Sequence, residues 1–236
     1  MTANTTITLY DLAGADPERR FSPYCWRTKL ALTHKRLAVE TVPWRFTEKE
    51  AIGFSGQGKV PVIVDGDRVV FDSWTIAEYL EDSYPDAPSL FGGSSGRAAI
   101  RFLNNWADAV LSGAIGALIL VDVFDQLDER DKAYFRRTRE ERYGKTLEQI
   151  CADRHERLSA FRQTIHPLRM SVRDQPYLGG DAPNYADYAA FGHFQWARTT
   201  SPLRLLESDD PVHAWRERLL DAFGGLARRA PGYPVL

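Results

Sequence analysis

Cysteine is scarce in this 236-residue chain, and neither sign of charge dominates it. The two cysteines, Cys25 and Cys151, cannot form a disulfide framework, which indicates a protein of a reducing compartment. The 30 basic and 32 acidic residues give a formal net charge of −2, so no broad positive field is available to bind a nucleic-acid backbone. We therefore expect no nucleic-acid partner.

Signal peptides, membrane spans and metal-ligand patterns are also missing. The N-terminus has no basic region followed by an apolar run, and the most apolar stretch, Ala109–Val123, is short for a membrane span. The five histidines show no metal-ligand spacing. Gly53, Gly56 and Gly58 lack the Gly-Lys-Ser/Thr of a phosphate-binding loop. We expect a cytoplasmic protein with no metal and no membrane partner.

The first third of the chain alternates between strand and helix patterns. Short β-rich runs lie on both sides of a helical segment, and two more flank a turn with the sequence Asp-Gly-Asp-Arg. The predicted strands are Ile7–Tyr10, Val39–Val42, Val62–Val64 and Val69–Phe71, and the predicted helices are Tyr24–His34 and a second one from Ser73. This order predicts a βαβ unit followed by ββα.

The rest of the chain has helical patterns only. Apolar residues from Ile100 to Leu118 keep helical spacing for about five turns, and charged helical stretches follow from Asp131 to Arg173. Two more helices are expected at Asn184–Arg198 and His213–Arg228. The fold class is therefore α/β plus all-α. The predicted domains are an α/β domain over residues 1–84, a linker over 85–96 and a helical domain over 97–236.

Ser22 and Pro23 lie at the predicted start of the first helix. Serine is a preferred N-cap residue, and proline is tolerated at the first helical position. A helix N-terminus can stabilise a thiolate placed against it. The segment Phe21–Cys25 is similar to the Cys-Pro-Tyr-Cys or Ser-Pro-x-x motif of glutaredoxins and glutathione transferases. With serine first, the resemblance implies an activating hydroxyl; an exposed helix cap alone is the other interpretation.

Two further motifs follow in the order that glutathione transferases have. In thioredoxin-like folds the bond corresponding to Val60-Pro61 is cis, and the residue before the proline hydrogen-bonds the cysteinyl backbone of glutathione. Asp72–Leu80 resembles the family's acid-Ser-x-x-Ile-x-x-Tyr-Leu motif. In the family, the acid receives the γ-glutamyl ammonium of glutathione, and the serine and helix N-terminus receive the γ-glutamyl carboxylate.

A fourth motif, Gly179–Asp187, resembles the family's Gly-Asp-x-Pro-Ser/Thr-x-Ala-Asp sequence. Asn184 and Asp187 predict a capping-box variant with a structural role. Other segments, among them Ser22–Lys35, are similar to bacterial glutathione-dependent β-aryl etherases and fungal FuA-type glutathione transferases. The chain is thus identified as a member of the serine-type glutathione transferases. The resemblance implies a thioredoxin-like glutathione-binding domain followed by a helical electrophile-binding domain.

The resemblance also implies site residues, with glutathione as the co-substrate. Ser22 is the implied catalytic residue. The implied glutathione-binding residues are Lys59, Val60, Pro61, Asp72 and Ser73. The residues expected to line the electrophile pocket are Tyr24, Trp44, Trp106 and Val110. Lys59 is expected to pair with the glycyl carboxylate of glutathione, with Lys49 and Arg45 left as alternatives.

Other chemistry-bearing residues receive structural interpretations. Tyr10 is a rival catalytic hydroxyl, but its place within a strand favours a structural role. Cys25 is expected to pack within the helix. The segment Arg136–Arg142 mixes charges and predicts a solvated helix face.

The predicted function is activation of glutathione thiolate for attack on a hydrophobic, aromatic electrophile, with β-aryl ether cleavage as one form of it. A non-catalytic carrier of aromatic ligands and a thiol–disulfide oxidoreductase using Cys25 are the alternatives. A homodimer is expected, since two-fold dimers are the commonest oligomers and family members commonly dimerise.

Overall fold

Four short β-rich segments pair into one mixed sheet in the computed structural model, which describes residues 6–234. The strands are β1 (Ile7–Leu12), β2 (Val39–Trp44), β3 (Val62–Asp65) and β4 (Arg68–Phe71). Their spatial order is β2-β1-β3-β4, with β1 parallel to β2 and antiparallel to β3, and β3 antiparallel to β4. This topology confirms the predicted βαβ unit followed by ββα.

Two helices accompany the sheet. Helix α1 (Pro23–His34) connects β1 to β2 and begins one residue before the predicted start. Helix α2 (Ser73–Ser83) follows β4 and begins where it was predicted. A short 3₁₀ helix, Lys49–Ser55, was not predicted. Ile7 and Leu9 of β1 and Val62 and Ile63 of β3 are fully buried, so the two central strands contribute to the core of this domain.

The second part of the described chain is helical, as predicted. Its elements are α3 (Ser94–Trp106), a π-helical turn (Ala107–Leu111), α4 (Ser112–Asp125), α5 (Glu129–Tyr143), α6 (Leu147–Cys151), α7 (Leu158–Thr164), α8 (His166–Asp174), α9 (Tyr185–Thr200) and α10 (Pro211–Arg229). Helix α3 begins inside the predicted linker, and the domain boundary itself stays a prediction.

The run from Ser94 to Asp125 is one continuous helix interrupted only by the π-helical turn. By length and composition alone it could cross a membrane. Its most apolar part instead lies in the core, where Ile115, Leu118 and Ile119 are buried. We therefore interpret it as the central helix of the second domain.

The two domains meet where α1 packs against α9. A Cβ atom added at Gly192 of α9 would lie 2.4 Å from the backbone oxygen of Pro23, the first residue of α1. Such a distance is well below a van der Waals contact, so only glycine allows the two backbones to come this close. Helix α9 thereby fixes the position of the N-terminus of α1.

The predicted capping box at the start of α9 is confirmed. The buried Asp187 carboxylate accepts hydrogen bonds from the backbone N–H groups of Leu178, Gly179 and Asn184, at 2.7, 3.0 and 3.1 Å. It also accepts one from Trp215 Nε1 at 2.8 Å. The motif thus closes the loop before α9 and attaches α10 to it, which is a structural role.

Candidate functional site

A cleft of about 560 Å³ lies between the sheet domain and the helical domain. This volume is typical of a site for a small organic ligand. The cleft brings together eight of the ten predicted site residues, which are separated by up to 51 positions in the chain. The eight are Ser22, Tyr24, Trp44, Lys59, Val60, Pro61, Asp72 and Ser73.

Ser22 is the N-cap of α1, with extended backbone angles (φ −63°, ψ 125°). Its Oγ accepts a hydrogen bond from the backbone N–H of Cys25 at 3.3 Å. The residue is only 3% exposed, so the expected exposed cap is wrong: α9 packs against this end of the helix. Because a hydroxyl both accepts and donates, capping leaves the Ser22 proton available to a ligand in the cleft.

Val60 and Pro61 form a second side of the cleft. The Val60-Pro61 peptide bond is cis, as predicted, and Pro61 is buried directly before β3. Lys59, which directly precedes Val60, is exposed. Both residues of the cis bond line the cleft, as do Ser22 and Pro23 at the start of α1.

Asp72 and Ser73 begin α2 at the same cleft. Asp72 has φ 68° and ψ 127°, a left-handed φ that costs a non-glycine residue energy and that is often found at functional sites. One carboxylate oxygen, Oδ1, accepts hydrogen bonds from the backbone N–H groups of Trp74 and Thr75 at 3.1 and 3.0 Å. The other, Oδ2, accepts none from the described residues. Helix capping and ligand binding can therefore be shared between the two oxygens.

The four predicted pocket residues divide into two pairs. Tyr24 and Trp44 line the cleft, whereas Trp106 and Val110 are half-buried and are not among the lining residues. The residues of that long helix that do line the cleft are Ser112, Leu120 and Val123, all beyond the π-helical turn. The π-helical turn between Trp106 and Ser112 changes which residues of the helix face the cleft. Apolar periodicity in the sequence gives no sign of such a turn.

Three basic residues are candidates for pairing with the glycyl carboxylate of glutathione. Arg45 lies outside the cleft lining, where its guanidinium donates to the carbonyl of Gly14 at 3.2 Å and pairs with Glu48 at 3.5 Å. Lys49 and Lys59 both line the cleft. Burial lowers the pKa of Lys49, and its ammonium lies 4.9 Å from the centre of the Trp44 ring. The geometry thus retains both lysines as candidates and removes Arg45.

Cys25 and Tyr10, the rival reactive groups, lie away from the cleft. Cys25 is fully buried and in the described structure does not line it. Burial and the nearby Asp11 carboxylate raise the pKa of its thiol, so the thiol stays protonated. Tyr10 packs on Phe54, with ring centres 5.5 Å apart, and is also absent from the lining. These positions argue against a disulfide exchange site at Cys25.

Helix α5 forms a wall that the sequence analysis missed. The segment Arg136–Arg142 was expected to be a solvated face, but Thr138, Arg139 and Arg142 line the cleft, and only part of the face is solvated. The buried Asp131 carboxylate explains this packing, since it accepts hydrogen bonds from the backbone N–H groups of Phe46 and Thr47, both at 2.9 Å. These bonds attach α5 to the loop after β2.

A buried polar network joins the two sides of the cleft beneath Tyr24. Arg27 of α1 donates to Asp108 at 2.7 Å and to Asn104 at 2.8 Å, and it lies 3.1 Å from His193. Although burial opposes it, the His193 ring, whose Nε2 lies 3.7 Å from Oδ1, and the hydrogen-bonded Arg27 guanidinium lower the pKa of Asp108 to about 2. Burial lowers the pKa of His193 to about 4, so this ring is neutral at physiological pH.

Among residues 6–234, no group of three or more His, Cys, Asp or Glu side chains is arranged to hold a metal ion.

Two models of one protein family match the chain. The model of the glutathione S-transferase N-terminal domain matches residues 21–83, and the model of the glutathione S-transferase C-terminal domain matches residues 98–219. The chain belongs to the glutathione S-transferase family. The N-terminal match contains all the predicted catalytic and glutathione-binding residues.

Curated relatives of this family member include the dichloromethane dehalogenase of Methylorubrum extorquens. It is 30% identical over 170 residues, which cover 70% of this chain and 54% of the dehalogenase. The glutathione S-transferase-like protein ustS of Aspergillus flavus is 29% identical over 141 residues, which cover 54% of this chain and 50% of ustS. The chain thus spans about half the length of these two relatives.

Solved structures of similar fold include fungal FuA-type glutathione transferases. This finding confirms the predicted resemblance to the FuA-type proteins. Glutathione transferase GSTFuA3 from Phanerochaete chrysosporium is 27% identical with a TM-score of 0.74, over 93% of this chain and 92% of that one. The glutathione S-transferase CsGST63524 of Ceriporiopsis subvermispora was solved in complex with glutathione. It has a TM-score of 0.76 over 95% of this chain and 94% of that one, and at 24% identity it supports the fold alone.

Proposed function

We propose that this glutathione S-transferase binds glutathione and activates its thiolate through Ser22 for attack on a hydrophobic, aromatic electrophile. One observation carries the proposal. The Ser22 hydroxyl, the cis Val60-Pro61 bond and the Asp72–Ser73 helix start come from three separate parts of the chain and line a single cleft. The protonated, buried Cys25 leaves the hydroxyl as the reactive side chain of the motif.

Ser22 acts by stabilising negative charge on sulfur. A free thiol has a pKa of about 8.5, so only a small fraction is ionised at neutral pH. The Ser22 hydroxyl donates a hydrogen bond to the sulfur, and the N-terminus of α1 adds the positive end of its dipole. The thiol proton passes to water. The sulfur then attacks the electrophilic carbon, a carbon–sulfur bond forms, and the leaving group departs with the electron pair of its bond.

Glutathione is held by charge pairing at both of its ends. Asp72 Oδ2 receives the γ-glutamyl ammonium, while the Ser73 hydroxyl and the start of α2 receive the γ-glutamyl carboxylate. The backbone of Val60 pairs with the cysteinyl backbone. Lys59, with Lys49 beside it, pairs with the glycyl carboxylate.

The test is thioether formation over a panel of benzylic halides and β-aryl ethers. We expect turnover above the uncatalysed rate, reduced in Ser22→Ala and unchanged in Thr33→Val, which removes a hydroxyl from the other end of α1. Binding of aromatics with no turnover on any electrophile would support the ligand-carrier alternative instead. Release of phenol from a β-aryl ether would establish the etherase form of the activity.

We further propose a cytoplasmic homodimer. Support comes from three exposed apolar side chains, Val69 and Phe71 on the edge strand β4 and Phe102 on α3, which are 39%, 38% and 72% exposed. Sedimentation that showed only the 26.7 kDa monomer at micromolar concentration would contradict the dimer.

A further inference from the structure

The charge of the cleft is strongly one-sided. Among its lining residues are four basic side chains, Lys49, Lys59, Arg139 and Arg142, and one acidic side chain, Asp72. None of the four cations forms an ion pair with any residue in the described range 6–234. The whole chain is slightly acidic, so this local excess of positive charge is a property of the cleft and not of the protein.

Arg139 is half-buried, whereas Lys59 and Arg142 are exposed. Its guanidinium lies over the rings of Phe135 and Phe46, with centres 4.4 and 5.1 Å away, and among the described residues it donates one hydrogen bond, to Thr138 Oγ1 at 2.8 Å. Burial lowers the pKa of Arg139, and the nearby Arg142 adds to this effect. An unpaired, half-buried guanidinium is costly, and an anion from solution would offset that cost.

Other arginines of α5 show that this lack of partners is local. Arg136, three residues before Arg139, pairs with Glu140 and Glu148, each at 2.9 Å. Arg130 pairs with Asp128 at 2.9 Å. Carboxylates are therefore available around this helix, but within residues 6–234 none of them forms an ion pair with the four cations of the cleft.

Aromatic rings surround the same cations. Phe46, Tyr134, Tyr143 and Trp196 line this part of the cleft, and the ring centres of Phe46 and Tyr134 are 5.9 Å apart. A ligand that fits this wall has an apolar, aromatic body and an anionic group that reaches Arg139 and Arg142. The guanidinium fork is suited to a carboxylate.

We propose that the second substrate is an anionic aromatic electrophile, whose carboxylate or similar acid binds Arg139 and Arg142 on α5. This inference rests on the proposed transferase function and specifies its substrate class. Glutathione also carries a carboxylate at its glycyl end, but Lys59 directly precedes the Val60-Pro61 segment and the Lys49 ammonium donates to the carbonyl of Gly58 beside it, whereas the two arginines belong to α5. The arginines are therefore left for the second substrate.

The experiment compares 4-(chloromethyl)benzoate with its methyl ester, each rate being divided by its own uncatalysed rate with glutathione. Thiolate sulfur displaces chloride from the same benzylic carbon in both compounds. We expect kcat/KM for the carboxylate to exceed that for the ester by about tenfold, a difference of about 1.4 kcal/mol. The preference should fall toward unity in Arg139→Gln and Arg142→Gln, and remain in Arg137→Gln, an exposed arginine of α5 outside the cleft.

The outcomes separate this inference from the transferase proposal. Equal normalised rates for the two compounds in the wild type would overturn the inference and leave the function standing. If Arg139→Gln and Arg142→Gln raised the KM for glutathione equally with both electrophiles, the arginines would be assigned to the glycyl carboxylate. That result would also overturn the inference. Turnover of neither compound, nor of any other electrophile, would count against the function itself.

A binding measurement tests the same inference when a variant is too unstable for kinetic assays. Calorimetry with S-(4-carboxybenzyl)glutathione and S-benzylglutathione needs no turnover, and Arg139→Lys keeps the positive charge if Arg139→Gln does not fold. Tighter binding of the carboxylate, weakened in Arg142→Gln and by added salt, supports the inference. Equal affinities for the two conjugates would overturn it.

Discussion

The cleft wall supplied by the sheet domain consists mainly of backbone features, whereas the wall supplied by α5 consists of side chains. On the first wall the cap at Ser22, the cis bond before Pro61 and the left-handed φ of Asp72 hold the site. On the second, Arg139 and Arg142 protrude from a regular helix. Backbone features need particular residues at fixed spacing, so they can be recognised in the sequence as motifs. A helix surface tolerates many residue types, so the α5 wall has no recognisable motif.

The strongest test of how the two walls are joined is Gly192→Ala. The added Cβ would lie 2.4 Å from Pro23 O, and backbone on both sides prevents relief. We expect destabilisation of about 2–3 kcal/mol or more, measured by denaturant unfolding, together with a loss of activity.

The matched control for this change is Gly113→Ala in α4, where an added Cβ meets no atom within 4 Å. Alanine in an open helical position should be neutral or stabilise by up to about 1 kcal/mol. Equal effects of the two substitutions would show that the contact between α9 and α1 does not position the site.

Asp72→Ala tests whether the sheet-domain wall binds ligand or only starts a helix. Loss of the cap should cost about 1 kcal/mol of stability. Glutathione affinity, measured by calorimetry, should fall by about tenfold or more, since the γ-glutamyl ammonium loses its partner. Asp72→Asn keeps a capping oxygen and removes the charge, so it should retain stability and still lose affinity. A lowered melting temperature with unchanged glutathione affinity would leave capping as the only role.

The pH dependence of stability tests the buried polar network that joins α1 to the helical domain. The pKa of His193 is lowered to about 4 in the folded protein from 6.5, so below pH 6.5 the unfolded chain binds a proton that the folded protein does not. Stability is therefore full above pH 6.5 and declines as the pH falls toward 4. Melting temperatures at about pH 7.5 and pH 5 should differ less in His193→Gln than in the wild type. If the melting temperature fell by the same amount in the wild type and in His193→Gln, His193 would not be the cause of the pH dependence.

The sequence allowed the fold and one wall of the site to be predicted, for a physical reason. Ser22-Pro23, Val60-Pro61 and Asp72-Ser73 each solve a local backbone problem, and their order along the chain matches one fold. The other wall depends on contacts between distant residues, such as Asp131 with the loop at Phe46. The π-helical turn had no apolar signal either, so Trp106 and Val110 were predicted to line the cleft, whereas Ser112, Leu120 and Val123 line it.

Ser22→Ala is expected to have only a modest effect on the fold, yet it bears on the central claim. The substitution leaves the N–H of Cys25 without its cap, at a cost of about 1–2 kcal/mol, which is more than an exposed position would suggest. The catalytic loss should be partial, because the N-terminus of α1 still stabilises the thiolate. Tyr10→Phe, which removes the rival hydroxyl, should leave catalysis unchanged.

The most direct measurement is the ultraviolet absorbance of the thiolate of bound glutathione as a function of pH, in the wild type, Ser22→Ala and Tyr10→Phe. The account predicts that Ser22→Ala raises the pKa of the bound thiol by about 1 unit, the equivalent of one hydrogen bond to the charged sulfur. Tyr10→Phe should give the wild-type curve. Superimposable titrations of the wild type and Ser22→Ala would contradict the account and assign thiolate stabilisation to Tyr10 or to the backbone.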